Sequence, residues 1–183
     1  NEHKVSEIRS IAGSAILLKS LNDIACFDEI PETGDTFEEN AGQKSRYIFD
    51  RYHCDCFADD SGLEIDALNG EPGVNSAHYS GSRDFEQNMQ LVLARLEGQK
   101  NRSARFRTVI SLILRGKEYL FEGSIEGKIS LQRSGSQGFG YDPIFHPNGY
   151  EISFAEMDPA EKNRISHRAI AVEKLISFLK NQI

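Results

Sequence analysis

The chain has 183 residues, of which 39% are hydrophobic and 27% charged, ordinary proportions for a globular enzyme-sized domain with one core or two lobes. Its net charge of −7 argues against a duplex-wrapping nucleic-acid binder, which needs a basic face, but not against a phosphate substrate met by a few focused basic residues. No apolar run approaches the roughly 18 residues of a membrane span, and no signal-peptide pattern opens the chain, so no membrane partner is expected.

The chain begins Asn1-Glu2-His3-Lys4 and passes straight into helical spacing at Val5, Ile8, Ile11 and Ala12, with Gly13 as a stop. In an α/β protein a polar turn entering a helix follows a strand, so the first strand is expected upstream of residue 1. Ile16-Leu17-Leu18 reads as a short buried strand. Pro31-Glu32-Thr33-Gly34 is a turn, and Asp35 or Thr36 caps the next helix with Glu38 or Glu39 placed for a capping box. That helix carries Phe37, Ala41, Lys44, Ile48 and Phe49 towards Tyr52. Cys56-Phe57-Ala58 is a short apolar segment that ends abruptly in an acidic turn, Asp59-Asp60-Ser61-Gly62.

Asn69-Gly70-Glu71-Pro72-Gly73 has strong turn chemistry. An amphipathic helix follows from about Asp84 to Leu96, with Phe85, Met89, Val92, Leu93 and Leu96 on one face. Two β-rich runs, Ala104 to Leu114 and Glu118 to Ile129, flank Arg115-Gly116-Lys117 as a hairpin. Gly135 to Pro143 is a glycine-rich loop bearing aromatics, and a last helix runs from about Ser166 to Asn181. The expectation is one α/β unit over residues 1–183, an elongated mixed sheet flanked by helices, with two lobes around a cleft. The three cysteines, Cys26, Cys54 and Cys56, lack framework spacing and point to reduced thiols in the cytoplasm.

Four groups of residues can carry chemistry. Asp59-Asp60 at a strand end suits phosphoanhydride hydrolysis: one carboxylate holds Mg²⁺ while a partner with a raised pKa takes the proton of water. Glu32, Glu38 and Glu39 lie upstream as further metal ligands, though acids in such places also serve as solvated corners or helix caps. Asn1-Glu2-His3-Lys4 opens a helix, where backbone N–H groups and Lys4 attract anions. Gly138-Phe139-Gly140-Tyr141-Asp142-Pro143 offers an aromatic to stack on a base and an acid for a ring N–H, or else a tight loop packed into the core. Lys162 and Ser166-His167-Arg168, at a loop leading into the last helix, supply donors for phosphate or keto oxygens.

Taken in order, Asn1 to Glu7, Phe57-Ala58-Asp59-Asp60-Ser61-Gly62-Leu63, Gly70-Glu71-Pro72-Gly73-Val74, Gly138 to Pro143 and Ile165-Ser166-His167-Arg168 resemble the non-canonical purine nucleoside triphosphate pyrophosphatases, also called inosine triphosphate pyrophosphatases. The resemblance covers essentially the whole chain. It implies a homodimer of α/β protomers that hydrolyse ITP, dITP and XTP to the monophosphate and pyrophosphate, with Mg²⁺ as cofactor. It implies Asp60 as proton acceptor and metal ligand, and Glu32 as the second ligand with Glu39 as fallback. Asn1, Glu2, His3 and Lys4 fall in the implied triphosphate turn, and Ser61 at a substrate contact. Phe139 is implied to stack on the base, Gly140, Tyr141 and Asp142 to shape its pocket, Lys162 to bind substrate, and His167-Arg168 to read the purine.

An Arg168 donor would satisfy the 6-keto oxygen of hypoxanthine and xanthine, while the amino group of adenine would leave it unpaired at about 1–3 kcal/mol. The chain departs from the family pattern where Ser76-Ala77-His78-Tyr79 replaces a frequent Ser-Ala-Arg-Tyr, and in lacking the strand and hydroxyl residue before Asn1. Two other readings compete: a related house-cleaning pyrophosphatase acting on pyrimidine or modified nucleotides, and a nucleotide-binding module without turnover. The Phe139 loop and the Ser166-His167-Arg168 ending favour purines. Asp59 and Asp60 argue against a pure binder, since triphosphate anions hardly need two bare carboxylates.

Overall fold

The computed structural model describes residues 2–13 and 17–182. Asn1, Ile16 and the side chain of Glu2 lie outside what is described, and with them the expectations placed there. Five helices occur among the described residues: α1 (Glu2–Ala12), α2 (Phe37–Tyr52), α3 (Phe85–Arg95), α4 (Pro159–Ile165) and α5 (His167–Lys180). Each boundary has a local cause. The Gly13 N–H donates to the Arg9 carbonyl at 3.0 Å and closes α1. Thr36 and Glu39 form a reciprocal capping box at the start of α2. Asp84 accepts from the Glu86 and Gln87 amides at 2.8 and 3.1 Å to open α3. Asp158 accepts from Ala160 at 2.8 Å, with Pro159 at the first helical position of α4.

Four strands, β1 (Cys56–Ile65), β2 (Ser103–Leu114), β3 (Lys117–Ile129) and β4 (Phe145–Pro147), form one sheet in the order β1-β2-β3-β4. The expected hairpin is present as β2 and β3. Its two-residue turn has Arg115 at φ 52 and Gly116 at φ 79, both positive as a type I′ connection requires. β4, not anticipated, pairs antiparallel with β3 in the register Gly127↔Pro147, Lys128↔His146, Ile129↔Phe145.

Three expectations need correction. The acidic pair is not a turn: β1 continues through Asp59, Asp60, Ser61 and Gly62 to Ile65, because partners for both carboxylates keep them inside the ladder. Leu17 and Leu18 belong to no strand, and Leu17 is 88% exposed. Lys162 does not lie in a loop but within α4.

The chain divides into two compact units: Asn1–Asp60 with Thr108–Gly123 and Arg168–Ile183, and Ser61–Arg107 with Ser124–His167. In the first, Ile8 of α1, Ile110 and Leu112 of β2, and Ala171, Val172 and Leu175 of α5 form the core. The Ser45 hydroxyl of α2 meets that of Ser111 on β2 at 2.7 Å, tying α2 to the same unit. In the second, Met89, Val92 and Leu96 of α3 pack with Leu63, Ile65, Phe106, Ile129, Ile144, Phe145 and Phe154. Among the described residues, no helix is long and apolar enough to cross a membrane.

Leu96 is fully buried at the end of α3, so Leu96→Ala should cost about 2–5 kcal/mol through lost transfer energy and a residual cavity. Urea unfolding measures this. A loss below about 1 kcal/mol would mean that the α3 face is not core.

Candidate active site

In the first unit, β1 presents two acids in succession, Asp60 buried and Asp59 largely so. Successive side chains leave a strand on opposite faces, and Asp59 and Asp60 accordingly find different partners. Asp59 takes the Lys4 ammonium of α1 at 2.9 Å and the Arg168 guanidinium of α5 at 3.8 Å. Arg168, 2% exposed, is also ion-paired with Glu7. Asp60 accepts from the Asn40 side-chain amide at 3.2 Å and lies 3.6 Å from the Lys44 ammonium, both from α2. Lys44 also donates to Glu32 at 2.7 Å, so one ammonium stands between the carboxylates of Glu32 and Asp60.

These surroundings drive the two acids apart. Burial raises the pKa of Asp59, but Lys4, Arg168 and Lys44 more than offset it and hold the carboxyl well below its usual range. For Asp60, burial outweighs Lys44, Lys4 and the Asn40 hydrogen bond, Glu32 adds repulsion, and its pKa is raised. Lys44 loses by burial but gains more from Asp60, Asp59 and Glu32, so its ammonium is held charged. The result is an Asp59 held ionised at neutral pH beside an Asp60 with heightened proton affinity, a division of labour suited to general-base chemistry.

Glu32 and Asp60 are also the oxygen donors that fit a divalent cation. Both already converge on one positive charge, and hard carboxylates suit an ion that keeps water and phosphate as its remaining ligands. Among the described residues there is no cluster of three or more His, Cys, Asp or Glu side chains that would enclose a metal by itself. Glu39, the fallback, has its carboxylate on the Asp35 and Thr36 amides at 2.8 and 3.2 Å.

In the second unit, the loop before β4 is held by a buried ion pair. Lys162 of α4 donates to Asp142 at 2.7 Å, with side-chain exposures of 7% and 4%. The same Asp142 carboxylate accepts from the Phe139 amide at 2.8 Å. It packs so closely on Gly138, at φ +74, that a Cβ there would lie 2.1 Å from Asp142 Oδ2, so only glycine fits. The half-buried Phe139 ring has the Lys162 ammonium 5.3 Å from its centroid and the Phe85 ring 6.2 Å away. Tyr141 is buried, its hydroxyl donating to the Ser76 carbonyl at 2.8 Å, while Gly140 has open space where a side chain would begin. Through these bonds Asp142 holds the loop in shape.

The other anticipated positions are distributed as follows. His3 is exposed at the start of α1, and Ser61 is half-buried in β1. His167 is buried and stacked on Phe106 at 4.9 Å between centroids. His78, the departure from the family pattern, is exposed at the end of a short 3-10 helix. Lys44 joins Glu32 and Asp60 in this cluster although the sequence reading did not single it out as a site residue. Its signal was a charge at an apolar helical position, three residues after Ala41 and four before Ile48.

A protein-family model described as the Ham1 family matches residues 1–178. A dITP/XTP pyrophosphatase of Flavobacterium johnsoniae is 51% identical over 180 residues, spanning 98% of this chain and 94% of that protein. One of Christiangramia forsetii is 50% identical over 180 residues, spanning 98% and 95%. The solved structure of the Staphylococcus aureus Ham1 protein superposes with a TM-score of 0.91 at 35% identity, covering 100% of this chain and 96% of that one.

The two acids have opposite linkage to stability. Because the folded pKa of Asp59 lies below its unfolded value of about 4, its pairing stabilises the fold above that pH and is lost as acid carries the pH through the depressed value. The raised pKa of Asp60 means that its ionisation costs stability at neutral pH, a cost relieved on protonation. Lys4→Met should therefore cost about 3 kcal/mol at pH 7 and move acid unfolding to higher pH. An unchanged acid midpoint would show that Lys4 does not neutralise Asp59.

Proposed function

Since the chain belongs to the Ham1 family, we propose that it hydrolyses non-canonical purine nucleoside triphosphates, ITP, dITP and XTP, to the monophosphate and pyrophosphate. The observation that carries the chemistry is Asp60, a buried carboxylate of raised pKa sharing Lys44 with Glu32. The names of relatives near 50% identity support the substrate class.

In this reading Glu32 and Asp60 hold Mg²⁺, which when bound neutralises charge on the phosphoryl oxygens of the substrate. Asp60 accepts the proton of a water whose oxygen attacks the α-phosphorus. The bond from that phosphorus to the oxygen bridging the β-phosphate breaks, and pyrophosphate leaves with the bonding pair. Lys44 holds positive charge beside the acids, and Lys4 with the start of α1 binds phosphate oxygens. In the second unit Phe139 stacks on the base, and Lys162 and Asp142 keep its loop in shape. His167 and Arg168 read the purine. Arg168 turns Nη1 towards Glu7 and Nε towards Asp59, and a guanidinium carries five N–H donors, so these carboxylates orient the side chain without using up its donors. The free thiols of Cys26, Cys54 and Cys56 accord with a cytoplasmic setting, and the homodimer is part of the same proposal.

Incubation of ITP, XTP, dGTP, ATP and dUTP with the protein and Mg²⁺ should give pyrophosphate fastest from ITP and XTP. Orthophosphate as the primary product would sink cleavage between the α- and β-phosphates. Asp60→Asn should lower kcat by at least about 10²-fold while leaving the protein folded, and near-normal kcat would remove Asp60 from its role.

A further inference from the structure

The segment after Glu32 has no regular structure of its own, yet its backbone is held by side chains of α2. The Thr33 amide donates to Gln43 at 2.9 Å, the Gly34 amide to Asn40 at 2.8 Å, and the Asp35 and Thr36 amides to Glu39 at 2.8 and 3.2 Å. Gln43 returns a bond to the Thr33 hydroxyl at 2.9 Å. Of these three α2 side chains, Asn40 also reaches β1, where its Nδ2 donates to Asp60 Oδ2 at 3.2 Å. Asn40 is 3% exposed, so neither bond is diluted by water.

Its orientation is dictated from one side. The Gly34 N–H can only donate, so the amide oxygen of Asn40 must face it, and the NH₂ group must then face the carboxylate. Gly34 allows the approach: a Cβ there would lie 2.5 Å from Glu39 Cβ and 3.0 Å from Asn40 Oδ1. One planar amide thus spans the Glu32 loop and the Asp60 carboxylate, leaving Asp60 Oδ1 turned towards Lys44.

We propose that Asn40 is a positioning residue that sets the spacing and rotation of Glu32 and Asp60 as a divalent-cation pair. It touches neither substrate nor metal. It fixes the Asp60 carboxylate plane from one end and the backbone two residues after Glu32 from the other. The inference rests on the reading of Glu32 and Asp60 as metal ligands given under the proposed function. Supporting residues of this kind change metal affinity or activity by about 10–100-fold when removed.

Asn40→Leu removes both bonds with a side chain of similar shape and adds no charge to the site. Asn40→Ala also removes both. Gly34→Ala keeps every side chain of the network chemically intact but drives the loop off both Glu39 and Asn40, since its Cβ would lie 2.5 Å from Glu39 Cβ and 3.0 Å from Asn40 Oδ1. Mn²⁺ binding to the nucleotide-free protein, measured by calorimetry, should weaken by about 10-fold or more in all three. Steady-state turnover of ITP should show kcat reduced and KM for the nucleotide little changed, with circular dichroism spectra matching the wild type. Wild-type Mn²⁺ affinity in the folded variants would overturn the proposal, and Asn40→Leu decides the matter if Asn40→Ala fails to fold. A wild-type protein that neither binds Mn²⁺ nor releases pyrophosphate would instead defeat the underlying reading of the site.

Discussion

Two adjacent carboxylates buried on one strand have to be neutralised, and much of the first unit answers that demand. A buried carboxylate without a partner neutralises itself by taking a proton. Asp59 escapes this because α1 and α5 bring Lys4 and Arg168 to it from distant parts of the chain. Asp60 is given less. Lys44 stands 3.6 Å away and is shared with Glu32, and the balance leaves Asp60 with a raised proton affinity. The unequal treatment of neighbours makes one a fixed charge and the other a candidate base. Functional sites commonly hold such imperfect compensation, with stability drawn from elsewhere. Here the apolar packing of Ile8, Ile110, Leu112, Val172 and Leu175 supplies it.

The second unit repeats the device in a different setting. Asp142 is as buried as Asp60, but its lysine is close, and a backbone amide adds to the compensation. The pair therefore works as a fastener. It fixes the conformation of the Gly138-Phe139-Gly140 segment and brings the Lys162 charge over the Phe139 ring. An acid held by a lysine at 2.7 Å and an acid sharing a lysine at 3.6 Å thus differ: the first sets the shape of its loop, the second keeps a raised proton affinity.

Much of the fold was legible because its signals are local. The periodic apolar residues of α2, α3 and α5, the Thr36–Glu39 capping box and the Arg115-Gly116 turn depend on neighbours within one or two turns of chain. The failures are equally specific. β4 is three residues long and exists through its pairing with Gly127 to Ile129. α4 was not anticipated, because seven residues of helix carry little periodicity. The pair Asp59-Asp60 read as a turn because exposed acids break strands. In the folded protein partners from α1, α2 and α5 let β1 run on.

The sequence by itself determined α1, α2, α3, α5, the hairpin and the residue types of a phosphoanhydride hydrolase, since propensity, capping and motif spacing are written along the chain. It also placed Glu32 and Asp60 in one chemical category. The tertiary structure decided which charge meets which. Lys44 was legible only as a helix residue until folding set its ammonium between Glu32 and Asp60. Arg168 carried no sign that Glu7, far off in sequence, would be its partner. Distances between groups remote along the chain, and the burial that gives those distances their electrostatic weight, arise only when the elements pack.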